Sequence, residues 1–262
     1  VEIVVASLEG LRELPASTEC VVHAAGVLSR SGLTWSEAMA VNAGGTVRLL
    51  HLAGGAARFV VVSSQSVYGV EGAPWTEEAH VAPTGPYAAS KAAAEAAAAA
   101  FSDALEVRIA RLSRLYGASP FTRWDEVPCR IVRASVDGAP MEIRGSGEQR
   151  LDFLHVEDAA RGVAELATRA GIPDGAYNVG SGRSTSLNEL VELTATLAAQ
   201  RGLPAPRIVR RPDLPSGGVE RLELDVSKAA RALGWRARVS LSEGLGELLD
   251  VRRGSGDGKR VD

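Results

Sequence analysis

Only two cysteines, Cys20 and Cys129, occur in the 262 residues, too few for a disulfide framework and without metal-ligand spacing. Both read as plain buried thiols in a reducing compartment. The four histidines, His23, His51, His80 and His155, show no ligand pattern either, so no metal is expected. No apolar run approaches the roughly 20 residues of a membrane span, and the opening residues lack a signal-peptide pattern. A net charge of −3 offers no basic surface for nucleic acid. Basic residues gather only at Arg207, Arg210 and Arg211, which suits either a small anionic ligand or a solvated edge. Lysine is scarce while alanine, glycine and arginine abound, as a GC-rich coding sequence would give. Alanine richness therefore says little about function. What remains is the expectation of a cytoplasmic α/β protein of one large domain, or one domain with a smaller lobe.

Continuous apolar runs separated by helical stretches organise the first half. Glu2–Ala6, Cys20–Ala25, Arg58–Ser63 and Leu105–Ala110 read as buried strands, with helices over 36–52 and 86–104 between them. That alternation predicts a parallel sheet covered on both faces. Pro86 suits the first turn of its helix, where a missing N–H costs nothing. After Tyr116-Gly117 the texture changes. Helices are predicted over 124–136, 157–169, 227–233 and 242–251, with short strands at 140–144, 152–155 and 176–179. Ser186-Leu187-Asn188-Glu189 has the capping-box pattern and opens a helix running to about Gln200. Residues 254–262 are polar and glycine-rich and read as a disordered tail.

One constellation carries chemistry. Tyr87 and Lys91 in Gly85-Pro86-Tyr87-Ala88-Ala89-Ser90-Lys91 are four residues apart, on one helix face. They follow Ser63-Ser64-Gln65-Ser66-Val67-Tyr68-Gly69. An ammonium held beside a phenol favours the phenolate, and a serine hydroxyl at a strand end could share a substrate oxygen with it. Such a trio moves a proton on or off an alcohol while a cofactor takes or returns hydride.

The ordered set of motifs resembles the extended short-chain dehydrogenase/reductase superfamily, especially the NAD-dependent epimerase/dehydratase family acting on nucleotide sugars. The resemblance runs from Val1 to about Leu248. It rests on Val21–Gly26, Val41–Thr46, the Ser-Ser-x-x-Val-Tyr-Gly segment, Tyr87-x-x-x-Lys91, Arg111–Gly117 and Asp152–Asp158, and further on Ser186–Leu190 and Asp225–Trp235. The fold it implies is a doubly wound, Rossmann-like parallel sheet with a smaller C-terminal substrate lobe. The cofactor part would span 1–117 with parts of 150–182, the lobe 118–149 and 183–253. By the same resemblance Tyr87 is the acid/base, Lys91 lowers its pKa and holds the nicotinamide ribose, and Ser64 bonds the reacting oxygen. Ala24, Ala25, Gly26, Asn42 and Ser63 would line NAD, with NADP not excluded. Family dehydratases typically place Asp-Glu directly after the catalytic Thr, and decarboxylases keep a Glu two residues before the Val-Tyr-Gly tyrosine. Gln65 and Ser66 occupy those places, and neither is a carboxyl acid or base. An epimerase is therefore the leading expectation, a reductase or dehydrogenase of the same fold the second, and a non-catalytic sugar-nucleotide binder the third.

Five departures stand beside the match. No G-x-x-G-x-x-G follows a strand in residues 1–60, and Gly44-Gly45 falls inside a predicted helix. Two crossover units, roughly 60 residues, would supply that element before Val1, and Ser7-Leu8 stands where Asp-Leu commonly contacts adenine. Arg114 replaces a common Asn, and Arg150 lies one residue before the expected Arg position, so on the opposite strand face. Arg211 resembles a diphosphate-binding arginine, with Asp213 next and Ser216-Gly217-Gly218 inserted after it. Arg114 and Arg211 are thus the expected contacts for a nucleoside-diphosphate sugar, through paired guanidinium donors. The run Ala92–Ala100 gives a smooth helix face suited to close helix approach and to a homodimer.

Overall fold

The computed structural model describes residue 8 and residues 10–29, 32–216 and 220–255. The expected strand at Glu2–Ala6, Ser7, Gly217, Gly218 and residues 256–262 lie outside them. The described chain opens with strand β1 (Cys20–His23), followed by α1 (Trp35–Ala38), a π-helical segment (Met39–Gly44), α2 (Gly45–Leu52), β2 (Arg58–Ser64) and a 3₁₀ turn (Gln65–Tyr68). Next come α3 (Gly85–Ala99), β3 (Glu106–Leu112), β4 (Arg114–Tyr116), α4 (Val127–Val136), β5 (Met141–Arg144), β6 (Arg150–His155) and α5 (Val156–Thr168). The remainder is β7 (Gly175–Val179), β8 (Ser184–Ser186), α6 (Leu187–Ala199), β9 (Ile208–Arg211), β10 (Arg221–Leu222), α7 (Ser227–Leu233) and α8 (Leu241–Ser255).

Strands β1-β2-β3-β7 form a wholly parallel sheet. Alternation along β2 and β3 shows why both faces had to be apolar. Phe59, Val61, Val107 and Ile109 pack with Leu49, Leu50 and Ala98 from α2 and α3. Val60 and Ala110 face the other way, into a cluster with Leu166 of α5 and Leu233 of α7. Each fully buried side chain of this kind stabilises by about 1.5–3 kcal/mol. The arrangement is the doubly wound α/β sheet expected from the sequence. A further apolar cluster joins Ile131 of α4, Ile143 of β5, Leu190 of α6 and Leu248 of α8. Among the described residues, no helix is long and apolar enough to cross a membrane and no group of acidic, His or Cys residues could hold a metal.

Several boundaries differ from expectation. The helix predicted over 36–52 exists, but Met39–Gly44 is π-wound, a local widening often found at functional sites. The helix predicted from 124 begins at Val127 with Pro128 in its first turn, because 124–126 form the approach to the cap. The helix expected to reach 104 stops at Ala99, and backbone bonds such as Phe101 N–H to the Ala98 carbonyl tighten the chain toward β3. Gly254 and Ser255, expected in a disordered tail, continue α8. The capping box at Ser186 and Glu189 is present with both of its bonds.

The buried arginine nearest the start of β3 has a structural explanation. Arg108 is 0% exposed and donates through Nη1 to the carbonyls of Leu166 (2.6 Å) and Arg169 (2.7 Å). Arg58 donates to the Ala167 carbonyl at 2.5 Å, and Glu106 accepts from both arginines. Two guanidinium groups thereby satisfy the open carbonyls at the end of α5.

Candidate active site

Ser64 is the last residue of β2 and caps the 3₁₀ turn, its Oγ accepting from the Ser66 N–H at 3.2 Å and the Ser66 hydroxyl at 3.1 Å. Tyr87 enters from the first turn of α3, which opens at Gly85 with φ +84° and continues through Pro86. The Ser64 side chain is among the groups that act on the phenol. Burial pushes the pKa of Tyr87 up, the Ser64 side chain and the Arg123 guanidinium pull it down, and Glu126 pushes it up again. The net direction is upward. Lys91 is buried, and its Nζ donates to the Val62 carbonyl at 2.8 Å. Burial lowers its pKa, and Glu95 opposes that. Desolvation thus outweighs the lowering influences on Tyr87, and the Lys91 ammonium is engaged by a strand carbonyl.

Asn42, at the π-wound turn, ties this helix to the loop after β1. Its Oδ1 accepts from the Val27 N–H at 2.8 Å, and its Nδ2 donates to the Val27 carbonyl at 3.1 Å and to Ser90 Oγ at 2.9 Å. Ser90 in turn donates to the Tyr87 carbonyl at 2.8 Å. The π winding is thus where a buried side chain leaves the helix to hold a loop. Ala24, Ala25 and Gly26 are exposed in that loop. A Cβ on Gly26 would stand 2.6 Å from Asn42 Oδ1 and 3.8 Å from Lys91 Nζ. Just before the loop, His23 is buried with Nε2 3.1 Å from Thr46 Oγ1. The Thr46 hydroxyl gives its proton to the Asn42 carbonyl at 2.6 Å, so Nε2 is the protonated nitrogen and Nδ1 is a bare acceptor. Among the described residues that Nδ1 is buried without a partner. Burial, reinforced by the Lys91 charge, pushes the pKa of His23 down to about 4, so it is neutral at pH 7.

Other expected residues sit elsewhere or point elsewhere. Ser63, one step from Ser64 and hence on the other strand face, is buried and donates to Glu95 Oε1 at 2.5 Å. Arg114 in β4 reaches Glu126 at 3.4 Å, and Arg123 pairs with the same carboxylate at 3.2 Å. Arg211 in β9 is bound by Asp213 at 3.0 Å and approaches Glu142 at 3.7 Å. No hydrogen bond or ion pair among the described residues links Arg211 to Ser64, Tyr87 or Lys91. Arg150 is paired with Glu189 at 2.9 Å. Sequence reasoning missed Arg123 and Glu126, whose charges act on the Tyr87 phenol, because that contact spans a loop with no motif of its own. It also missed that Gln65 is buried with an unpaired Oε1.

The end of the sheet fits the nicotinamide-ribose portion of a dinucleotide. Small residues leave the backbone exposed at 24–26, a side chain on Gly26 would crowd Asn42 and approach Lys91, and Lys91 supplies a donor. Ligands of open α/β sheets bind at this carboxyl end of the strands.

Comparison with known proteins agrees with this geometry. Residues 2–180 match the family described as NAD dependent epimerase/dehydratase family. A dTDP-glucose 4,6-dehydratase of an Actinoplanes species is 37% identical over 250 residues, 92% of this chain and 76% of that one. A UDP-glucose 4-epimerase of Mycolicibacterium smegmatis is 32% identical over 223 residues, 81% of this chain and 68% of that one. Among solved structures, MoeE5 in complex with UDP-glucuronic acid and NAD has a TM-score of 0.84 at 33% identity, covering 96% of this chain and 85% of that one. The chain belongs to the NAD-dependent epimerase/dehydratase family.

Proposed function

We propose that this chain is an NAD-dependent epimerase of a nucleoside-diphosphate sugar. Tyr87 takes the proton from a sugar hydroxyl, Ser64 holds the reacting oxygen, and Lys91 binds the nicotinamide ribose. NAD, when bound, accepts the hydride from the sugar carbon and gives it back. Between the two transfers the keto sugar turns its other face, and Tyr87 returns the proton. The observation that carries this reading is the want of a carboxyl acid or base at the two positions after Ser64. Elimination of water across neighbouring carbons needs a further acid or base, and the positions after Ser64 are the amide Gln65 and the hydroxyl Ser66. The one carboxylate acting on Tyr87 is Glu126, which is already paired with Arg114 and Arg123. The relatives described as dTDP-glucose 4,6-dehydratase and UDP-glucose 4-epimerase support the nucleotide-sugar substrate.

Arg114 and Arg211 are proposed as contacts for the substrate diphosphate, and the α4–α6–α8 cluster as the substrate lobe (118–149 and 183–253). A second copy is proposed to cover the helical face that exposes Trp35 (57%) and Met39 (40%), one turn apart. Light scattering should give the mass of a dimer; a monomer at all concentrations would end that part. The function is tested by incubating the protein with NAD and UDP- or dTDP-hexoses. Interconversion of epimers with no net change in NADH absorbance is expected. Net NADH formation would make it a dehydrogenase and a 4-keto-6-deoxy product a dehydratase. No NAD(H) binding at millimolar cofactor would leave it a non-catalytic binder.

A further inference from the structure

Behind Ser64 and Lys91 lies a buried ion pair that the chemistry above does not use. Glu95 stands one helical turn after Lys91 on α3, and Arg111 on β3 is the register partner of Ser63 on β2. Their side chains are 7% and 8% exposed. Arg111 donates to Glu95 Oε2 through Nη2 at 2.7 Å and Nε at 3.1 Å, while Ser63 donates to Glu95 Oε1 at 2.5 Å. The remaining guanidinium nitrogen, Nη1, donates to Tyr68 Oη at 2.8 Å and to the Glu77 carbonyl at 3.2 Å. Tyr68 passes the chain on to Asn178 Oδ1 of β7 at 2.8 Å. One arginine therefore joins the helix, the turn after Ser64, the loop at Glu77 and two strands.

The placement relative to β2 is informative. Lys91 binds the carbonyl of Val62, and Glu95 binds the side chain of Ser63. Two successive turns of one helix grip two successive residues of one strand, and the next residue is Ser64. A buried ion pair is seldom more stabilising than a well-packed apolar pair of the same volume, so stability alone is a poor account of it. Positional precision is a better one, since small displacements of reacting groups are costly.

We propose that the Glu95–Arg111 pair is a positioning element of the active site, locking the Tyr87–Lys91 face of α3 against the end of β2 and supplying the negative charge that retains the Lys91 ammonium. The inference rests on reading Tyr87 and Lys91 as the reacting pair. Among the described residues, Glu95 is the charge that acts on the Lys91 ammonium. His23 on β1 is neutral, Asn42 on the π segment is uncharged, Tyr87 carries a phenol, and Glu95 on its own helix is balanced by Arg111 on β3. Burial lowers the pKa of Lys91 and Glu95 raises it, so neutralising Glu95 makes the ammonium easier to deprotonate.

The test uses the cofactor-free full chain and three variants: Glu95→Gln, Glu95→Asp, and Glu95→Gln combined with Arg111→Met. The double variant leaves no unpaired buried charge and carries the measurement where Glu95→Gln alone fails to fold. Lysine acylation by acetic anhydride is followed across pH by peptide mass spectrometry, with Lys228 as internal reference; the chain has only Lys91, Lys228 and Lys259 to distinguish. In folded Glu95→Gln and in the double variant, Lys91 should label faster than in the wild type at one mildly alkaline pH, by about tenfold for each pH unit its midpoint moves. Lys228 should not change, and Glu95→Asp should return Lys91 toward the wild-type rate. In assays with NAD and sugar nucleotide, kcat should fall while KM stays. Unchanged Lys91 labelling in the folded variants would overturn the proposal, whatever the sugar chemistry proves to be, because labelling needs neither cofactor nor substrate.

Discussion

Tyr87→Phe should lower sugar-nucleotide turnover by about two to four orders of magnitude, the usual contribution of a positioned acid/base, while the melting temperature and NAD(H) affinity hold. The substitution deletes one oxygen and keeps the ring. The half-buried ring stays in place, so the fold loses little with the oxygen. Circular dichroism, a thermal melt and a cofactor titration check the folded state, and a coupled epimer assay reads the loss. Turnover near the wild-type level would mean that another group carries the proton.

The same phenol sets the sign of the pH dependence. Proton abstraction requires the ionised form, so kcat/KM should rise with pH until the pKa of Tyr87 in the free protein is passed. Burial raises that pKa above the ordinary tyrosine value, and the rise should therefore extend into the alkaline range rather than level off near neutrality. The Arg123 guanidinium opposes the rise and Glu126 adds to it, so the loop around residues 123–126 tunes the base without touching the strand that presents Ser64.

What could be read from the sequence was whatever local pattern determines. Phe59-Val60-Val61 had to be buried on both faces, Ser186 and Glu189 had to cap a helix, and Tyr87 and Lys91 had to share one face of α3. Each of these depends on residues within one element. The alternation along β2 also separated Ser64, which acts on the Tyr87 phenol, from Ser63, which meets Glu95. The resemblance put Ser64 at the reacting oxygen and Ser63 beside the cofactor, and only the packing of α3 on β2 reveals that Ser63 turns to Glu95.

The features that escaped are tertiary. Strands β8 and β10 are three and two residues long, and such polar segments become strands only because β6 lies beside them. Glu95 is set in a run of alanines whose composition invited a reading about helix packing, while its meaning comes from Arg111 on another element. The direction of the Tyr87 shift is of the same kind. Spacing alone placed an ammonium near a phenol; how much water each group keeps depends on what the loop at 123–126 and the sheet cover. The approach of Arg211 to Glu142 likewise follows from β5 and β9 meeting.

Gly26→Ala should be the most damaging single methyl group in the molecule for function. The added Cβ would lie 2.6 Å from Asn42 Oδ1 and 3.4 Å from its Cγ, well inside contact distance. Asn42 cannot swing aside cheaply, because its amide is held by both backbone groups of Val27 and by Ser90. Either the loop after β1 moves outward or those bonds break, and in both cases the tie from the loop through Ser90 to the Tyr87 carbonyl is loosened. A displacement of about 1 Å in such an arrangement costs about 10²-fold in rate, so kcat/KM should fall by that order and NAD(H) binding should weaken in parallel. Global stability should change far less, since Gly26 is exposed and the substitution removes no apolar contact from the core. Isothermal titration with NAD(H), set beside a thermal melt, separates the two effects. Wild-type cofactor affinity in Gly26→Ala would show that this loop does not line the cofactor, and the seat assigned to the nicotinamide ribose between Gly26, Asn42 and Lys91 would have to be abandoned.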